Sequence, residues 1–231
     1  APFSGKFFEV LIPDKKEQKS DDTLFLTKNL ISLLANVPQE GIDEAKKQFA
    51  HMSLRIKSFE DKLITSLTNE GIRSKIFSQS VKLVTEMRSV EKLLLKIRIK
   101  NPSYAHKAHD MLIDFYRLRK ILQRLDSMNQ FIQDLRRDEI TKSIQIIQIF
   151  LTEWKSYRSQ AWQTIFNHQL ERNFQFKSQK MSTRFLKQQN TDLKTAPEIL
   201  VCSYRLSLYM IGVAESWELL ISHQSFSNAE K

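Results

Sequence analysis

The residues best equipped for chemistry lie together in His106-Lys107-Ala108-His109-Asp110. On a helix, His106 and Asp110 stand one turn apart on the same face, with His109 alongside. Imidazole nitrogens and carboxylate oxygens are common ligands for a catalytic metal ion, and such an ion could activate water. His51 upstream and Asp126 or Asp192 downstream are the residues available to complete a ligand set. Elsewhere the chain offers little. It contains no phosphate loop, no His-Glu-x-x-His, no nucleophile elbow and no cysteine pair. The Glu-x-x-His pairs of di-iron bundles are absent as well. Cys202 falls in an apolar run, where a buried, inert thiol is expected.

The His106 and His109-Asp110 stretch resembles the His-Asp pair of the metal-dependent HD phosphohydrolases, in which an upstream His and a downstream Asp complete the site. That resemblance implies a metal-dependent hydrolase with His106, His109 and Asp110 as ligands. The same residues also read as a solvated first helical turn, with Asp110 and Asp114 near the positive end of the helix dipole. The second reading is the one carried forward, and with it the expectation of no catalytic residues, no metal and no cofactor.

Charge is the stronger signal. Of 231 residues, 36 are Lys or Arg and 26 are Asp or Glu, for a net charge of +10. The surplus is uneven: residues 71–100 carry +6, 101–137 carry +3 and 171–194 carry +4. Lys92, Lys96, Lys100, Arg117, Lys120 and Arg124 therefore form a candidate anion-binding surface, provided that two neighbouring helices bring their basic faces together. A second candidate is Arg172, Lys177, Lys180, Arg184 and Lys187, interleaved with Phe174, Phe176 and Phe185. Basic and aromatic residues in this pattern suit single-stranded bases or an anionic membrane surface.

The elements that must position these side chains are helices. Four glycines and five prolines leave little with which to build hairpins, so an all-α chain is expected. Ile42, Ala45, Phe49, Met52, Ile56, Phe59 and Leu63 alternate steps of three and four, the period of a seam between packed helices. A second seam runs Ile76, Ser80, Leu83, Met87, Val90, Leu94, Ile97, and Asn101-Pro102 stops it. A third helix covers about 102–136, with Tyr104, Met111, Leu112, Phe115, Leu118, Leu122, Leu125 and Ile132 inward. A fourth run begins near Asp138 or Glu139 and continues to about Ile165. A short helix is expected from Asp22, as N-cap, to Ala35, with Leu24, Leu30, Ile31 and Leu34 inward. The last helix, from Pro197 to about Ile221, is apolar nearly all round and belongs at the centre. Its length would suffice for a membrane span, yet Arg205, Glu215 and Glu218 within it favour a core helix.

The expected fold is an elongated antiparallel bundle of five or six helices, several about 30 residues long. It forms one domain over 23–221, with an extended N-terminal arm over 1–22 and a mobile tail over 222–231. Ala1-Pro2-Phe3-Ser4-Gly5 lacks the charged and apolar regions of a secretory signal. The leading functional expectation is a non-enzymatic interaction protein, an adaptor or scaffold that binds another protein through long helical faces. The alternative is peripheral binding to an anionic membrane or nucleic acid through the basic faces.

Overall fold

The computed structural model describes residues 26–67, 73–167, 177–181, 183 and 197–229, of which 95% are helical and none lies in a strand. Helix α1 (Lys28–Asn36) is followed by α2 (Pro38–Ser66), α3 (Arg73–Lys100) and a 3₁₀ turn at Pro102–Tyr104. Then come α4 (Ala105–Asp134), α5 (Arg137–Ile146), α6 (Gln148–Asn167) and α7 (Pro197–Ala229). At 1.5 Å per residue, the 28 to 30 residues of α2, α3 and α4 each span about 42–45 Å.

The seams pack as their spacing predicts. All seven seam residues of α2 are at most 4% exposed, and Leu83, Met87, Val90, Leu94 and Ile97 of α3 are at most 1% exposed. Residue 76 lies where no side chain is described. Helices α2 and α3 run antiparallel, with Arg55 beside Glu86 at one level and Gly41 against Ile97 at the other. Helix α4 then returns beside α3, packs on α2 through an edge-to-face Phe49–Phe115 pair 5.5 Å apart, and carries α7 antiparallel on its other flank. Helix α7 is also covered by α5 and α6. The α6–α7 contact is largely aromatic: Trp154 lies 5.3 Å from Trp217 and donates its indole N–H to the Met210 carbonyl at 2.8 Å.

Several boundaries differ from expectation. Thr27 caps α1, its hydroxyl accepting the Leu30 amide at 3.3 Å, while Asp22 and Leu24 lie outside the described residues, as does the expected arm. Leu30 is 38% exposed rather than inward, because Ile31, Leu34 and Ala35 already fill the buried face of a nine-residue helix. The fourth run bends at Ile147 and divides into α5 and α6. Backbone bonds still cross the bend, from Ile147 N to Ser143 O at 3.1 Å and from Leu151 N to Ile147 O at 2.7 Å. No Gly or Pro marks the place, so hydrophobic spacing runs through it unbroken.

The last helix also runs past its expected end near Ile221, since α7 continues to Ala229. His223, two residues past the expected end, places Nδ1 2.7 Å from the Asp114 carboxylate of α4, and Gln224 is buried. Nor is α7 sealed on every side. It is long and apolar enough to cross a membrane by length and composition, and just over half of that span is buried. Val201, Arg205, Leu208, Glu215 and Leu219 form a stripe along its open side.

Candidate interaction surface

The two basic helices are neighbours, but their cations turn to opposite flanks. On α3, Lys96 donates to Ser32 Oγ at 3.2 Å and Lys100 to Asn36 Oδ1 at 3.4 Å, both on α1, while Lys92 is exposed. On α4, Arg117 donates to the Leu219 carbonyl of α7, and Arg124 stands 3.9 Å from Glu215 of α7. Lys120 is exposed and sits 5.5 Å from the centre of the Tyr116 ring. Helix α1 packs on α2 and α3, whereas α7 packs on α4, α5 and α6. Four of the six cations therefore divide, Lys96 and Lys100 toward α1 and Arg117 and Arg124 toward α7, while Lys92 and Lys120 are exposed.

Gly212 shows how close that contact is. A Cβ there would lie 2.2 Å from a guanidinium nitrogen of Arg124, so the arginine rests on the bare backbone of α7. Arg205, expected to be paired or solvated, is exposed and stacks 5.0 Å from the Phe131 ring centre.

What remains is a surface on α3 that sequence reasoning missed. Residues 81, 85, 88, 92, 95 and 99 alternate steps of four and three, so a second seam runs along this helix on the side away from the core. Val81 is 55%, Leu95 44% and Ile99 78% exposed. Arg88 and Lys92 occupy the middle of the stripe, and Lys96 and Lys100 flank its end. The two carboxylates of α3 in the described region turn the other way. Glu86 is buried and pairs with Arg55 of α2, and Glu91 pairs with Arg119 of α4 at 2.8 Å. Both acids are engaged by inward bridges, so the outer face is left cationic. Leu33 of α1, 62% exposed, is one residue from the Ser32 that holds Lys96. The signal was present in the sequence as a second period of 3.5, hidden because three of its six positions, Thr85, Arg88 and Lys92, are polar.

Of the second basic candidate, Arg172, Arg184 and Lys187 lie outside the described residues. Lys180 is exposed. Lys177 opens a helical turn at 178–181 whose start is held by Glu218 of α7. One carboxylate oxygen accepts the amides of Lys177 and Ser178 at 2.8 and 2.9 Å and the Tyr157 hydroxyl at 2.6 Å. The other accepts the Ser178 hydroxyl. Burial and the adjacent carboxylate push the Tyr157 phenol well above its ordinary value, so it remains a donor.

The His-Asp stretch is brought only partly together. His106 Nδ1 is 3.0 Å from Asp110 on an exposed turn, and His109 is exposed. Among the described residues no three His, Cys, Asp or Glu side chains are grouped to hold a metal ion, so neither His51 nor Asp126 completes the set; Asp192 is outside them. Asp126 instead accepts from Gln130 at 3.1 Å and borders a groove between α3 and α4. Cys202 is half-buried rather than buried, and desolvation raises its thiol above the ordinary value, which disfavours the thiolate.

Glu60 of α2 is fully buried against α6. Its Oε2 accepts Arg158 Nε and Trp162 Nε1, each at 2.6 Å, while Oε1 has no partner among the described residues. Burial pushes this carboxyl up to about 7 although the Arg158 guanidinium pulls it down. Asp61 also bonds Arg158. Comparison with known proteins finds no match for this chain among family models, curated proteins or solved structures.

Proposed function

We propose that the protein is a helical-bundle binding module, an adaptor or scaffold that engages another protein through the outer face of α3. The observation that carries this reading is the second seam. Single exposed apolar residues are ordinary, but Val81, Leu95 and Ile99 stand on one stripe at the period that packs one helix against another. Among the described residues all three remain substantially exposed.

A photo-reactive residue in place of Ile99 tests the reading. It should cross-link to a defined protein at a yield that saturates with concentration and falls in a Leu95→Asp background. The same group at exposed Gln130 on α4 should not. The exposed Lys92, Lys96 and Lys100 favour a second reading, contact with an anionic lipid or nucleic-acid surface. Retention on phosphatidylserine vesicles or duplex DNA, lost between about 50 and 200 mM salt, would support that reading in place of the first.

A further inference from the structure

We infer that the outer face of α3 receives an acidic amphipathic helix of the partner protein, with apolar side chains meeting Val81, Leu95 and Ile99 and carboxylates meeting Arg88 and Lys92. This rests on the protein-binding reading above and assigns the chemistry of the partner. The stripe from 81 to 99 is about 27 Å long at 1.5 Å per residue, the length of five turns of a partnering helix. A helix laid along it meets positions at steps of three and four, which an extended strand, with its period of two, does not match.

Charge selects the partner. Arg88 and Lys92 lie on the seam itself, Lys96 and Lys100 flank it, and Glu86 and Glu91 are both engaged inward by Arg55 and Arg119. Asp126 of α4 lines the same groove as Val81 and Arg88, one acid beside four cations, so a partner still has to bring carboxylates to the centre of the stripe. That requirement excludes a second copy of this face. The stripe is centred on residue 90, so antiparallel self-pairing sets Arg88 against Lys92, and parallel self-pairing sets each cation against itself. Like charges so placed oppose association. It also disfavours a lipid surface, because an inserting helix needs a continuous apolar sector, and here two charges divide Val81 from Leu95.

The test uses the full chain and two labelled synthetic peptides of about 21 residues, enough to cover the stripe. Both carry the same leucine seam, with glutamates at the central and flanking positions in one and lysines in the other. Fluorescence anisotropy should show binding of the glutamate peptide, weakened by salt, and none of the lysine peptide. Ile99→Asp should weaken it by about tenfold or more. Arg88→Glu with Lys92→Glu should abolish binding of the glutamate peptide and create binding of the lysine peptide. All three positions face outward, and an unchanged melting temperature confirms that the variants remain folded. Equal binding of both peptides would overturn the inference, as would binding confined to phosphatidylserine vesicles, duplex DNA or the chain's own copies. If the cross-link from position 99 is lost in Leu95→Asp yet survives the Arg88 and Lys92 reversals, the acidic partner is wrong and the protein-binding surface stands. If that cross-link never forms, both fail.

Discussion

Glu60 provides a measurement in which two physical effects predict opposite signs. The carboxyl is fully buried, which favours its neutral form, while Arg158 and the Trp162 indole favour its charged form. Burial prevails, and the group titrates near 7 in the folded protein against 4.5 in the unfolded chain. The folded state therefore binds this proton more tightly. The stability this group contributes is greatest below about pH 4.5, falls as pH rises toward about 7, and levels off above it. A shift of that size, at 1.36 kcal/mol per pH unit, amounts to about 3 kcal/mol.

Glu60→Gln isolates the effect. The amide oxygen can still accept from Arg158 and Trp162, and Asp61 keeps an anion beside the guanidinium. At about pH 4.5 the variant should match the parent to within ~1 kcal/mol, since glutamine mimics the protonated acid. By about pH 8 it should be the more stable by about 3 kcal/mol. Urea unfolding of both proteins across this range reads the difference, and subtraction removes titrations they share, including Asp114, whose carboxyl is also raised by burial. If Arg158 instead dominates, the parent gains on the variant as pH rises. That reversed slope, or a flat difference, would refute the argument that desolvation outweighs the ion pair.

Other substitutions probe packing at specific places. Gly41→Ala should destabilise by about 1–3 kcal/mol even after the ~1 kcal/mol that alanine gains in a helix. Its Cβ would lie 2.8 Å from the Leu34 carbonyl oxygen of α1, which is backbone, and 2.6 Å from Ile97 Cδ1. Gly212→Ala would displace the flexible end of the Arg124 side chain rather than backbone, and should cost less than Gly41→Ala in the same unfolding assay. Leu206→Ala, at 1% exposure, should cost about 2–5 kcal/mol, and Leu208→Ala, at 44%, less than about 1. Glu218→Ala should abolish hydrogen-exchange protection of the Lys177 and Ser178 amides while the amides of the α7 core stay protected.

How much of this is visible in the residues alone depends on the range of the interaction. The α2 and α3 seams are visible because burial recurs with the helix period, and every described seam position is buried. The bend at Ile147 is invisible because it arises where α5 and α6 settle on α7, with no residue there that breaks a helix. The end of α7 is misplaced for a related reason. Its polar residues after Ile221 look like a tail until Asp114, 109 positions earlier, supplies a partner for His223.

The basic surface shows the same limit more sharply, because charge summed along a sequence carries no direction. Residues 71–100 hold +6 whichever way their side chains turn. Folding sorts them: Glu86 and Glu91 turn inward to Arg55 and Arg119, which strips the negative charge from the outer face of α3. Arg117 and Arg124, equally prominent in sequence, close the seam against α7, so they are poor choices for testing a binding surface. Reversing them should disturb the α4–α7 contact, whereas reversing Arg88 and Lys92 changes only what the outside of α3 can attract. A screen based on charge density alone would mutate all four together and mistake damage to the fold for loss of binding.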